Sequence, residues 1–119
     1  MKTSFVLLGG TSDLARRLLL PGLGEYVRAS RAAVEVLGAG RDKVDGYQDQ
    51  VREAGADVAA RYFAVDATSS EDVQKLLDAT FGDRTVMYMA LAPAVAVKVV
   101  DALRDVRLPR SEEHTSELQ

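Results

Sequence analysis

The chain has 119 residues, room for one domain, and its 47% hydrophobic and 28% charged content is that of a globular protein. A net charge of -3 argues against nucleic acid or an anionic membrane as main partner, and no apolar run approaches the roughly 20 residues that span a bilayer. The absence of cysteine removes disulfides, thiolate metal sites and cysteine nucleophiles together, and the N-terminus lacks a signal-peptide pattern, so a cytoplasmic location is the default expectation.

Apolar runs alternate with segments of helical periodicity, the form taken by βαβ units laid into a parallel sheet. Ser4–Leu8 is the first predicted strand, followed at once by Gly9 and Gly10. From Asp13 the spacing of Leu14, Leu18 and Leu19 predicts a helix with these residues on one face. Val34–Leu37 is the second strand and runs into GAGR, ending at Arg41. A weaker, mostly polar helix is expected over Val44–Ala54, with Gly55 as its stop. Arg61–Val65 is the third strand, and Val73, Leu76, Leu77 and Phe81 mark the helix after it. Val86–Leu91 is the fourth strand, and Val95, Val99 and Leu103 line the last helix. The expectation is an α/β fold, a Rossmann-like doubly wound parallel sheet with about four strands present, over residues 1–109.

Residues 110–119 read RSEEHTSELQ, polar throughout, and are expected to be disordered. All ten resemble the translation of a common sequencing-library adapter, so the expectation is a non-native tail and a natural reading frame cut near Pro109. His114, the single histidine, falls in this tail and reads as solvated rather than as a general base, which needs a fixed position.

Chemistry is legible at the strand ends. Where a parallel strand turns into a helix, the first helical N–H groups lack partners and the helix dipole adds positive charge, so a phosphate fits there. Gly9 and Gly10 allow close backbone approach, and Thr11, Ser12 and Asp13 can each cap the helix. The G-x-G-x-x-G fingerprint is absent; Gly9, Ser12 and Ala15 instead fall three apart, a spaced variant with serine in the middle. A bare strand-to-helix turn is the competing reading. At the tip of the second strand no carboxylate waits for a ribose 2′-hydroxyl, whereas Arg41 could grip a 2′-phosphate; a solvated arginine is the plain alternative. Asp66 could touch the adenine edge or cap the helix starting near Ser70. Tyr88 reads equally as a core tyrosine. The small residues Ala90–Pro93 leave room for a ligand, and Pro93 suits a first helical turn.

Taken together, GGTSDLAR (Gly9–Arg16) followed by LLLP, GAGR, and YMALAP resemble three ordered motifs of the glucose-6-phosphate dehydrogenase family, actinobacterial type: G-A-S-G-D-L-A-[KR], a strand ending in glycine and arginine, and Y-x-A-L-P-P. The resemblance covers Thr3 to Pro109. It implies NADP as cofactor, held by Gly9, Gly10, Thr11, Ser12, Asp13, Leu14, Arg16, Arg41 and Tyr88, with no metal. It further implies hydride transfer from glucose 6-phosphate in the oxidative pentose phosphate pathway, in a family often homo-oligomeric. Two positions depart from the pattern: Ser12 replaces the second loop glycine and Ala92 the first proline. The family's E-K-P-F-G strand, its catalytic histidine and its substrate domain are absent from these residues. No catalytic residue is therefore expected here, glucose 6-phosphate would bind only the full-length protein, and the fragment is expected to be inactive. One alternative is a short-chain dehydrogenase or epimerase-type NAD(P)-binding fragment, whose Y-x-x-x-K pair does not occur. The other is a non-catalytic Rossmann-type nucleotide-binding module.

Overall fold

The computed structural model describes residues 2–80, 84–104 and 106. Phe81, His114 and the 110–119 segment lie outside the described residues. Strands β1 (Lys2–Leu8), β2 (Ala33–Gly40), β3 (Ala59–Ala64) and β4 (Arg84–Met89) form one parallel sheet in the order β3-β2-β1-β4. Helices α1 (Leu20–Ser30), α2 (Tyr47–Glu53), α3 (Ser70–Asp78) and α4 (Pro93–Leu103) alternate with them. The α/β doubly wound expectation holds. β1 is central: Leu8 pairs with Ala39 on one side and Met89 on the other.

Alternation along the strands sends successive side chains to opposite faces, and each face has its own core. Val6, Leu8, Leu37, Met87 and Met89 pack with Val73, Leu76, Leu77 and Val99 of α3 and α4. Leu7 and Val36 pack on the other face with Leu20 of α1 and with Tyr47 and Val51 of α2. A strand flanked by helices on both sides reads as a continuous apolar run, which is why FVLL and EVLGA carry little polar interruption. The buried Glu35 is no exception, because Arg61 meets its carboxylate at 3.0 Å and also donates to the Ala79 carbonyl at 2.8 Å.

The expected face of the first helix requires correction. Leu14 and Leu18 are 40% and 65% exposed; Ala15, Leu20 and Gly24 are buried instead, with Leu19 packed at the margin. The cause is a π-helical turn over Ala15–Leu19, in which the Leu20 N–H bonds the Ala15 carbonyl five residues back. Pro21 has no N–H to offer, and its ring would press on the carbonyl four residues earlier in a regular helix, so the backbone loosens just ahead of it. One extra residue in the turn rotates the buried stripe from a Leu14–Leu18 spacing to Ala15–Leu20–Gly24.

Gly24 is where α1 meets the loop between α2 and β3. A Cβ there would collide with the Gly55 carbonyl oxygen and lie 3.2 Å from the Ala56 Cα, backbone atoms that cannot swing aside. Gly55 itself has φ of 107°, left-handed territory that suits its role as the helix stop. Gly22, two residues earlier and so on the other side of the helix, faces open space. Gly24→Ala should therefore destabilise the chain by about 1–3 kcal/mol, as overpacking does, while Gly22→Ala should stabilise it by roughly 0.5–1 kcal/mol. Urea unfolding midpoints check the pair, and similar shifts for both would refute the close contact.

Candidate functional site

β1 ends in a glycine turn held from three sides. The Gly9 and Gly10 N–H groups both donate to the Ala39 carbonyl, at 2.8 and 3.2 Å, and the Ala90 N–H donates to the Leu8 carbonyl at 2.8 Å. Gly9 sits at φ of 78°, and a Cβ on it would run into the Ala90 carbonyl oxygen. Only glycine fits there. Beyond it, Ser12 is the residue that starts the helix: its Oγ accepts the Ala15 N–H at 3.2 Å, and its carbonyl accepts the Arg16 N–H at 3.1 Å. Ser12 thus stands where the family pattern has glycine because it caps, and its hydroxyl proton is left over to donate. Asp13 and Leu14 follow as the first helical residues, whose N–H groups have no intrahelical acceptor.

Tyr47 supports this turn from below, a role that the sequence reading missed. Its hydroxyl donates to the Gly10 carbonyl at 3.1 Å, and its ring occupies the space that side chains at Gly10 and Gly38 would fill. Tyr62 packs on it with ring centroids 5.1 Å apart, and the Tyr62 hydroxyl fills the space beside Gly40. Burial, then the neighbouring Tyr62, pushes the Tyr47 hydroxyl up to about 12, so it remains a donor at all working pH values. The two glycines of GAG leading to Arg41 therefore admit tyrosines. The available signal was Tyr47 itself, the one aromatic residue in an otherwise polar predicted helix.

A cleft of about 380 Å³ opens at the carboxyl ends of the strands. Gly9 stands at its β1 side, Ala39, Gly40 and Arg41 at the end of β2, Val65 to Thr68 after β3, and Leu91, Val95 and Lys98 after β4 and on α4. Ligands of open parallel sheets bind at such a switch point: the β1–β2 connection leaves β1 in one direction, the β3–β4 connection crosses back to its other side, and the loops after β1 and β4 part. Apolar Ala39, Val65, Leu91 and Val95 make walls for a flat ring, and polar Arg41, Asp66, Thr68 and Lys98 make a rim. The Gly9 position is bare of side chain, and the helix start beside it presents a serine hydroxyl and helical N–H groups without intrahelical acceptors.

Arg41 is exposed and lies 3.7 Å from Asp66 Oδ1. That same oxygen accepts the Thr68 hydroxyl at 2.6 Å and the Thr68 N–H at 2.9 Å. Thr68 first, and Arg41 after it, hold the Asp66 carboxyl below the usual carboxylate range. Asp66 does not cap α3; Ser69 does, accepting the Asp72 N–H at 3.4 Å, while Asp72 reaches back to the Asp66 N–H at 2.8 Å.

Of the residues singled out from sequence, Gly9 and Arg41 line the cleft, and Gly10, Thr11, Ser12 and Asp13 form the turn and helix start beside it. Leu14 is exposed, and Arg16 pairs with Asp13 at 2.9 Å on the outer surface. Tyr88 is not brought to the cleft lining. It faces the opposite side of the sheet from Met87 and Met89 and packs, partly buried, against the α1 and α2 core. Among the described residues no group of three or more His, Cys, Asp or Glu could hold a metal, and no helix is long and apolar enough to cross a membrane.

Comparison with known proteins agrees with the geometry. The family model described as glucose-6-phosphate dehydrogenase, NAD binding domain, matches residues 6–117. Glucose-6-phosphate 1-dehydrogenase of Rhizobium meliloti (strain 1021) is 27% identical over 133 residues, covering 87% of this chain and 26% of that protein. The crystal structure of glucose-6-phosphate 1-dehydrogenase from Mycobacterium avium matches with a TM-score of 0.76 at 21% identity, over 98% of this chain and 28% of that one. A glucose-6-phosphate dehydrogenase in complex with its substrate glucose-6-phosphate matches with a TM-score of 0.68 at 18% identity, over 98% and 29%. The chain spans about a quarter of the length of the curated relative. These structural likenesses speak for the fold, and the match over residues 6–117 for the lineage: the chain belongs to the glucose-6-phosphate dehydrogenase family, within its NAD(P)-binding domain.

Proposed function

We propose that this chain seats NADP for a dehydrogenase that oxidises glucose 6-phosphate. The observation that carries the NADP preference is the cleft rim at the tip of β2, where Gly40 leads into Arg41 and no carboxylate takes the terminal strand position. A carboxylate there would accept a ribose 2′-hydroxyl and repel a 2′-phosphate; a guanidinium offers paired donors to the phosphate instead. Ser12 and the helix start at Asp13 and Leu14 would hold the pyrophosphate, and Leu91 and Val95 would flank the purine. When bound, the nicotinamide supplies the hydride acceptor. This chain's residues bind and orient. On this reading the sugar phosphate site and the proton-abstracting base come from the part of the protein beyond this quarter of the relatives' length, and we assign no catalytic residue within these 119 positions.

Asp66 tunes the same rim. Its carboxylate accompanies Arg41 at 3.7 Å and must give way when a phosphate arrives. Both side chains are exposed, 76% for Arg41 and 43% for Asp66, so the pair is weak and readily exchanged.

Arg41→Glu should weaken NADP binding by about tenfold or more, the value of a lost charge-assisted hydrogen bond, and change NAD binding much less. Calorimetric titration of both nucleotides checks this, and equal losses would remove the assigned role. A second expectation concerns acid. Because the folded Asp66 carboxyl titrates below its unfolded value, its stabilising contribution is present above the ordinary carboxylate range and is lost as pH falls through the folded value. Thr68→Val should raise the Asp66 midpoint, followed by carbon NMR of the carboxyl group, and shift the acid limb of stability to higher pH. An unmoved midpoint would show that Thr68 is not the cause.

A further inference from the structure

Arg41 accounts for one wall of the cleft, and α4 is the other. Val95 and Lys98 lie three residues apart on one face of that helix, and both line the cavity. The charged residues of the lining are two cations, Arg41 and Lys98, against one carboxylate, Asp66. That carboxylate stands beside Arg41 at 3.7 Å, whereas among the described residues no ion pair involves Lys98. The charge left unbalanced in the cleft is therefore on α4. Lysine there has a four-carbon stem that can run along Val95 and Leu91 while its ammonium reaches into the cavity.

We propose that Lys98 is a second phosphate-reading cation of this cleft, meeting the adenosine 2′-phosphate of NADP from α4 while Arg41 meets it from β2. The proposal rests on the dinucleotide reading above and adds a specificity residue to it. A phosphate monoester carries close to two negative charges at neutral pH. One guanidinium that already has a carboxylate neighbour offsets little of that charge; an ammonium on α4, without an ion pair among the described residues, adds a second cation toward it. The arrangement also places the two cations on elements separated in sequence, so that the phosphate ties α4 to the end of β2.

The test compares the unaltered chain with K98M, K98R and R41E, each titrated with NADP, with NAD and with adenosine 2′-phosphate. K98M keeps the length of the stem and removes the charge; Lys98 is exposed, so its urea midpoint should stay at the unaltered value. Expected are a loss of about tenfold for NADP and for adenosine 2′-phosphate in K98M, little change for NAD, and recovery of most of the affinity in K98R. No change in K98M, or the same loss for NADP and NAD, overturns the proposal. If R41E abolishes the preference for NADP while K98M preserves it, the dinucleotide reading stands and Lys98 alone is wrong. If the unaltered chain binds none of the three ligands, both readings fall.

Discussion

One carbonyl oxygen, that of Ala39, receives the N–H groups of Gly9 and Gly10 together and so decides where the chain may leave β1. A carbonyl has two lone pairs, and using both on consecutive residues draws the turn tightly onto β2 before the helix starts. The left-handed Gly9, pressed against the Ala90 carbonyl, closes the other side. Tyr47 completes the clamp through Gly10. The direction of the first helix, the bareness of the cleft beside β1 and the exposure of the Ser12 end all follow from that fixed exit. The backbone of the turn is therefore ordered before any ligand arrives, which is the condition under which contacts convert to affinity.

The cleft's polar rim is built from opposite material, long exposed side chains with weak internal pairing. Arg41 and Asp66 are far enough apart and wet enough that separating them costs little. Asp66 is nevertheless kept anionic by Thr68, so the guanidinium always has a modest competitor. A carboxylate held anionic beside Arg41 competes with any incoming phosphate for the guanidinium, and the weak, solvent-exposed pairing keeps that competition small.

Much of the fold could be read directly, and the reasons are local. Buried parallel strands are apolar runs, so FVLL, VLGA and VMYM declared themselves, and their alternation with helical spacing gave the α/β class. Val73, Leu76 and Leu77 are buried where their spacing put them. The first helix misled because periodicity assumes a constant turn, and Pro21 inserted a π-turn that spacing alone does not reveal. In the site, Gly9 and Arg41 were legible because strand ends are marked by glycine and charge. Tyr47 was not, since its partners Gly10, in the turn after β1, and Gly38, on β2, are brought beneath its ring only by the assembled sheet. Tyr88 packs on the α1 side, as the core-tyrosine reading of its place inside the β4 run expects.

The central position of β1 has a consequence for how the chain reaches this state. Thr3 pairs with Val34 on one edge and with Arg84 on the other, so the first strand made is completed by the last. During synthesis β1 stands with a bare, strongly apolar edge until β4 has emerged, and long-range parallel pairing is slow to form. The same strand that leads into the glycine turn is thus the one whose edge stays open to wrong pairing longest during synthesis.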